Sequence, residues 1–112
     1  MLYYFKGDSM EGINILIDIK NMYLSTEIQI DCKENKMWVN GREVEVDIEK
    51  FITKLFFITA DWEDEYLQDV LDAEDFSLYI TDGEKSQKVH CKGRYPANYG
   101  ELKELLMEIV NG

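Results

Sequence analysis

Residues 12–20 alternate without interruption, placing Ile13, Ile15, Ile17 and Ile19 on one side and Asn14, Leu16, Asp18 and Lys20 on the other. A period of two is the spacing at which side chains leave opposite faces of an extended chain, so this stretch is a half-buried strand. Residues 26–32 repeat the pattern with Ile28, Ile30 and Cys32 inward, and Lys33-Glu34-Asn35 supplies a turn into Met37-Trp38-Val39. Asn40-Gly41 then marks a hairpin, because both residues tolerate the positive φ angles of a type I′ turn, and residues 43–46 return alongside. Residues 12–46 therefore read as an antiparallel meander, with residues 2–5 as a candidate further strand.

After the meander the apolar period lengthens. Asp47 is a suitable N-cap, and Ile48, Phe51, Ile52, Leu55, Phe56 and Thr59 fall at helical spacing. Asp61 in turn caps an expected second helix, in which Trp62, Tyr66, Leu67, Val70 and Leu71 form one face and acids the rest. Phe76, Leu78 and Ile80 alternate again, Asp82-Gly83 is a second hairpin turn, and Val89 and Cys91 return on the same face. A hairpin closing there sets Asp75 about opposite His90. Past Pro96, Asn98 and Glu101 have the spacing of a capping box for a last helix that turns Leu102, Leu105, Leu106, Ile109 and Val110 inward.

Strand runs followed by helix, hairpin and helix, without strict βαβ alternation, indicate the α+β class: an antiparallel meander sheet plus a second β-hairpin, with two to three helices packed on one face. No stretch is repeated or rich in Gly and Ser, so residues 1–112 are expected to form one α+β domain. A hydrophobic content of 46% with 12% aromatics is sufficient for a single core in 112 residues.

Charge is sorted along the chain. Residues 55–84 hold ten acidic and no basic side chains, residues 85–100 hold four basic and no acidic ones, and the formal net charge is −11. That excess bears on partners and opposes nucleic acid, whose phosphates must be met by Lys and Arg. No run approaches the ~20 apolar residues of a membrane span, and Met1 to Gly7 lack the basic and apolar regions of a secretory signal. The expectation is a cytoplasmic protein without nucleic-acid or membrane partners, monomeric or homodimeric.

Little here suggests catalysis. Cys32 and Cys91 form no C-x-x-C and have no companion His and Cys residues at zinc spacing, so they read as reduced structural thiols. His90 is the only histidine, and strand alternation sets it on the face of Ser86, Lys88 and Lys92, away from Cys91. The carboxylates Asp61, Glu63, Asp64 and Glu65 lack EF-hand spacing and read as a solvated face, and no glycine-rich phosphate loop is present. No catalytic, cofactor-binding or metal-binding residue is expected, and the chain reads as not an enzyme.

Two binding sites stand as candidates. Trp38, with Met37, Val39 and Val44 directed to the core, falls on the opposite face among Lys36, Glu43 and Glu45; it is either an interface anchor or covered by a further layer. Together with Asp61, Glu63, Asp64 and Glu65 it forms the candidate surface for another protein, a basic one. Lys88, Lys92 and Arg94, near the start of the last helix, form the alternative, an anion or small-ligand site. The segment Tyr95-Pro96-Ala97-Asn98-Tyr99 resembles aromatic-Pro-x-Asn-aromatic helix starts in small bacterial proteins, among them immunity-type partners of secreted toxins. The resemblance is confined to residues 93–102, identifies no family and transfers no residue role. The expected function is protein binding of the inhibitor or immunity type; ligand binding and an enzyme with a site invisible in the sequence are the alternatives.

Overall fold

The computed structural model describes residues 12–111. The chain runs β1 (Asn14–Lys20), β2 (Ser25–Asp31), β3 (Lys36–Val39), β4 (Arg42–Val44), α1 (Ile48–Thr59), β5 (Glu65–Leu67), β6 (Asp75–Thr81), β7 (Ser86–Lys92) and α2 (Tyr99–Asn111). Seven strands make one sheet in the order β4-β3-β2-β1-β6-β7-β5, antiparallel throughout except where β5 joins β7 in parallel. The architecture is α+β, with a larger sheet than the expected meander and two helices. The meander and the later hairpin are halves of the same sheet, zipped together along β1 and β6 from Asn14↔Thr81 to Lys20↔Asp75.

The isoleucine face behaves as its period dictates. Ile13, Ile15, Ile17, Ile19, Ile28, Ile30, Phe76, Leu78, Ile80, Val89 and Cys91 are buried in one cluster with Ile48, Phe51, Ile52 and Leu55 of α1 and Leu102, Leu105 and Leu106 of α2. Both helices thus cover the same face of the sheet, and each fully buried aliphatic side chain contributes about 1.5–3 kcal/mol. Asp47 caps α1, its side chain accepting from the Lys50 N–H at 3.1 Å. At the β3–β4 hairpin Asn40 and Gly41 have φ of 51° and 81°, the pair of left-handed residues that an Asn-Gly turn supplies.

Three expectations are corrected. The helix over residues 62–71, with Asp61 as its cap, does not form: Trp62 turns inward after α1, its N–H donating to Thr59 O at 3.0 Å, and the chain then extends as β5. The Asp82-Gly83 turn is a four-residue loop, held by Asp82 Oδ1 accepting from the Glu84 and Lys85 amides at 2.9 and 2.7 Å. The pairing therefore runs Asp75↔Lys92 and Ser77↔His90, two residues from the expected register, which leaves every side chain on its expected face. The Asn98–Glu101 capping box is absent in its expected form. Asn98 Oδ1 accepts the Trp62 indole N–H at 2.7 Å and Asn98 Nδ2 donates to Ile58 O at 2.8 Å, so the side chain joins α1, Trp62 and the start of α2. The strand proposed for residues 2–5 lies outside the described residues. No helix among the described residues is long and apolar enough to cross a membrane.

Candidate functional site

Both helices lie on one side of the sheet, and among the described residues no element covers its other face. Register aligns the side chains on it into rows across the strands. One row runs from Glu43 and Trp38 through Gln29, Leu16 and Tyr79 to Lys88. Trp38, Leu16 and Tyr79, with Asn14 and Thr81 beside them, line a groove of about 400 Å³. Trp38 is half-buried in this groove. It stands opposite the core residue Met37, as alternation requires, and neither of its two expected states is complete: it is not free of the sheet surface, and no further layer of described residues covers it.

A second groove, of about 540 Å³, lies at the β5–β7 side and is lined by Asp64, Glu65, Ser86, Lys88 and His90 among others. β5 creates it. The backbone bonds His90 N–H to Asp64 O (2.8 Å) and Gln68 N–H to Lys92 O (2.9 Å) lay the short strand against β7, which brings Glu65 level with His90. His90 Nε2 lies 2.8 Å from Asp75 Oδ1, a contact diagonal to the strand register. β5 can approach so closely because residue 93 is glycine. Its φ is +81°, and a Cβ there would lie 2.0 Å from Gln68 O.

Of the expected partner-binding residues, Trp38, Asp64 and Glu65 line the two grooves, whereas Asp61 and Glu63 are exposed on the turn that precedes β5. Of the expected anion-binding set, Lys88 and Lys92 are on the open face with Glu65 and Asp75 among them, and Arg94 sits over the Tyr66 ring at 5.5 Å, lining neither groove. The two expected sets overlap only in part: Glu65 lies on the open face with Lys88 and Lys92, while Asp61, Glu63 and Arg94 lie outside both grooves. Leu16 and Tyr79 were not singled out by the sequence reading. Their signal was an apolar residue in the polar phase of an alternating strand.

Burial pushes the Cys91 thiol up to about 12, and burial with the charge of Asp31 pushes that of Cys32 up to about 11, so both free thiols stay protonated near neutrality. Among the described residues no group of three or more His, Cys, Asp or Glu side chains is placed to hold a metal ion. Glu74, outside these two grooves, holds several bonds. Its carboxylate accepts from Tyr99 OH (2.5 Å), Asn21 Nδ2 (2.7 Å) and Lys103 Nζ (3.0 Å), and its carbonyl accepts from Tyr95 OH (2.6 Å). No family model matches the chain, and no curated protein or solved structure matches it significantly.

Proposed function

We propose that the chain is a non-enzymatic module that binds a basic protein across the open face of its sheet. The observation that carries this reading is the row of Trp38, Leu16 and Tyr79, an apolar strip set in a face whose surround is polar and charged, from Glu43 at one end to Lys88 at the other. An aromatic anchor in a shallow groove with a polar rim is the usual anatomy of an interaction hot spot. The net charge of −11 supports a cationic partner, since opposite charge accelerates encounter. An inhibitor or immunity protein acting on a basic toxin in the cytoplasm is the specific form of the proposal. The anion-site alternative gains no support from the geometry, because Arg94 stands apart from Lys88 and Lys92 and carboxylates are interspersed with both lysines.

Two variants test it on proteins recovered from the source cell. Trp38→Ala, at a half-buried position outside the core, is expected to lower stability by about 1 kcal/mol and to weaken binding by more than about 2 kcal/mol. Replacing Asp61, Glu63, Asp64 and Glu65 by Asn or Gln is expected to slow association and flatten its dependence on salt. Retention of the same proteins by both variants, with unchanged rates, refutes the reading.

A further inference from the structure

Seven large apolar side chains are exposed among the described residues, and five of them gather at one end of the sheet. Met22 and Tyr23 project from the β1–β2 loop, exposed by 65% and 92%. Val70 and Leu71 project from the segment after β5, Leu71 exposed by 90%, and Leu67 closes β5 itself. The two loops are joined by the Asn21–Glu74 hydrogen bond, and the groove between them is lined by Met22 and Asp72 together with Lys20, Asp75 and Lys92. Lys20, Asp75, Lys92 and Leu67 stand in one row across four neighbouring strands, a span of about 15 Å at the usual strand spacing.

The lining of this groove differs in charge from the molecule as a whole. Two lysines and two aspartates line the groove, so it is locally balanced in a chain of net charge −11. A balanced patch that carries both signs is complementary to itself: in a two-fold contact each lysine of one copy can face a carboxylate of the other. Contact through the carboxylates of residues 61–65 would instead set like charges together. Clustered exposed side chains of this size mark an interaction site in a water-soluble surface.

We propose that this end of the sheet is the interface of a symmetric homodimer, with Met22, Tyr23 and Leu71 as its apolar centre and Lys20, Lys92 and Asp72 as its charged pairs. The interface lies toward the opposite strand ends from the Trp38 groove: Lys20 is four residues along β1 from Leu16, the nearest β1 residue lining that groove, about 13 Å, and Met22 and Tyr23 lie beyond it. The proposal does not rest on the identity of any partner at the Trp38 groove, whereas the Glu65–His90 groove lies two residues from Leu67 and Lys92 and borders the interface.

Sedimentation velocity of the full chain over a wide concentration range tests it. The expected result is a monomer–dimer equilibrium that Leu71→Asp or Tyr23→Asp weakens roughly thirtyfold, as loss of a hot-spot contact does. Both residues are almost fully exposed, so neither change should reach the fold. Phe57→Asp, at an exposed aromatic on α1, is the control and should leave the dimer unchanged. Lys20→Glu combined with Lys92→Glu should weaken it through repulsion. A monomer at every concentration overturns the proposal and leaves the patch to a different molecule, and so does a dimer indifferent to Leu71→Asp or as sensitive to Phe57→Asp.

Discussion

Asn98 is bonded at both ends of its amide, to the Trp62 indole and to the carbonyl of Ile58, and so closes the seam between the two helices. Trp62 is buried against Phe76 and Tyr99, with edge-on ring contact to Phe76 at 6.0 Å. Truncating Asn98 would leave an indole N–H in an apolar setting without this acceptor, and an orphaned buried donor costs more than a hydrogen bond contributes. Asn98→Ala is therefore expected to lower stability by about 1–3 kcal/mol in urea unfolding, with a change in Trp62 fluorescence. Glu101→Ala, which would be costly in a capping box, should cost only the few tenths of a kcal/mol of a helix-dipole contact. Equal losses from the two substitutions would contradict the observed bonding. The sequence marked Asn98 as consequential through its place before α2, but its partner lies 36 residues away, beyond the reach of a spacing argument.

The strands and helices whose period was uniform were legible, and the segment between α1 and β6 was not. Residues 62–71 carry apolar side chains at helical spacing, yet only Trp62 is buried, while Leu67, Val70 and Leu71 are exposed. What decided against a helix is tertiary: the free edge of β7 accepts a short parallel strand, and the pocket beneath α1 takes the indole. Neither exists until the rest of the sheet has formed, so local periodicity could not report them. Gly93 is the point on which this element depends. Gly93→Ala would force a Cβ against the Gln68 carbonyl in a backbone conformation that disfavours alanine, so β5 should detach while the antiparallel sheet persists. Hydrogen exchange should then show the His90 and Gln68 amides losing protection while the Leu78 amide keeps it; protection retained at all three would show that β5 tolerates the side chain. The open-face position of Trp38 was legible from alternation, but that of Glu65 beside His90 depends on β5.

For the whole molecule, the pH dependence of stability can be followed through one carboxylate that the fold holds below its ordinary value, Glu74. Its carboxylate joins the β1–β2 loop through Asn21, the segment before β6 that carries it, and α2 through Tyr99 and Lys103, and its side chain is only 13% exposed. Burial opposes its charge, but hydrogen bonds from Tyr99, Asn21 and Lys103 and the Lys103 charge outweigh that and hold the carboxyl below its ordinary value of 4.5. A group that titrates lower in the folded chain than in the unfolded one adds stability that is fully present above the unfolded value, and that stability is lost as the pH falls through the folded one. Glu74→Gln keeps the shape and removes the charge, leaving the surface acids as they are. Urea midpoints of both proteins against pH should show the variant less stable at pH 7, and the gap should narrow steadily below about pH 4.5. Because every other titratable group is common to both chains, the difference between the two curves isolates Glu74. Parallel curves down to acid unfolding would mean that the clasp between sheet end and helix does not depend on its charge.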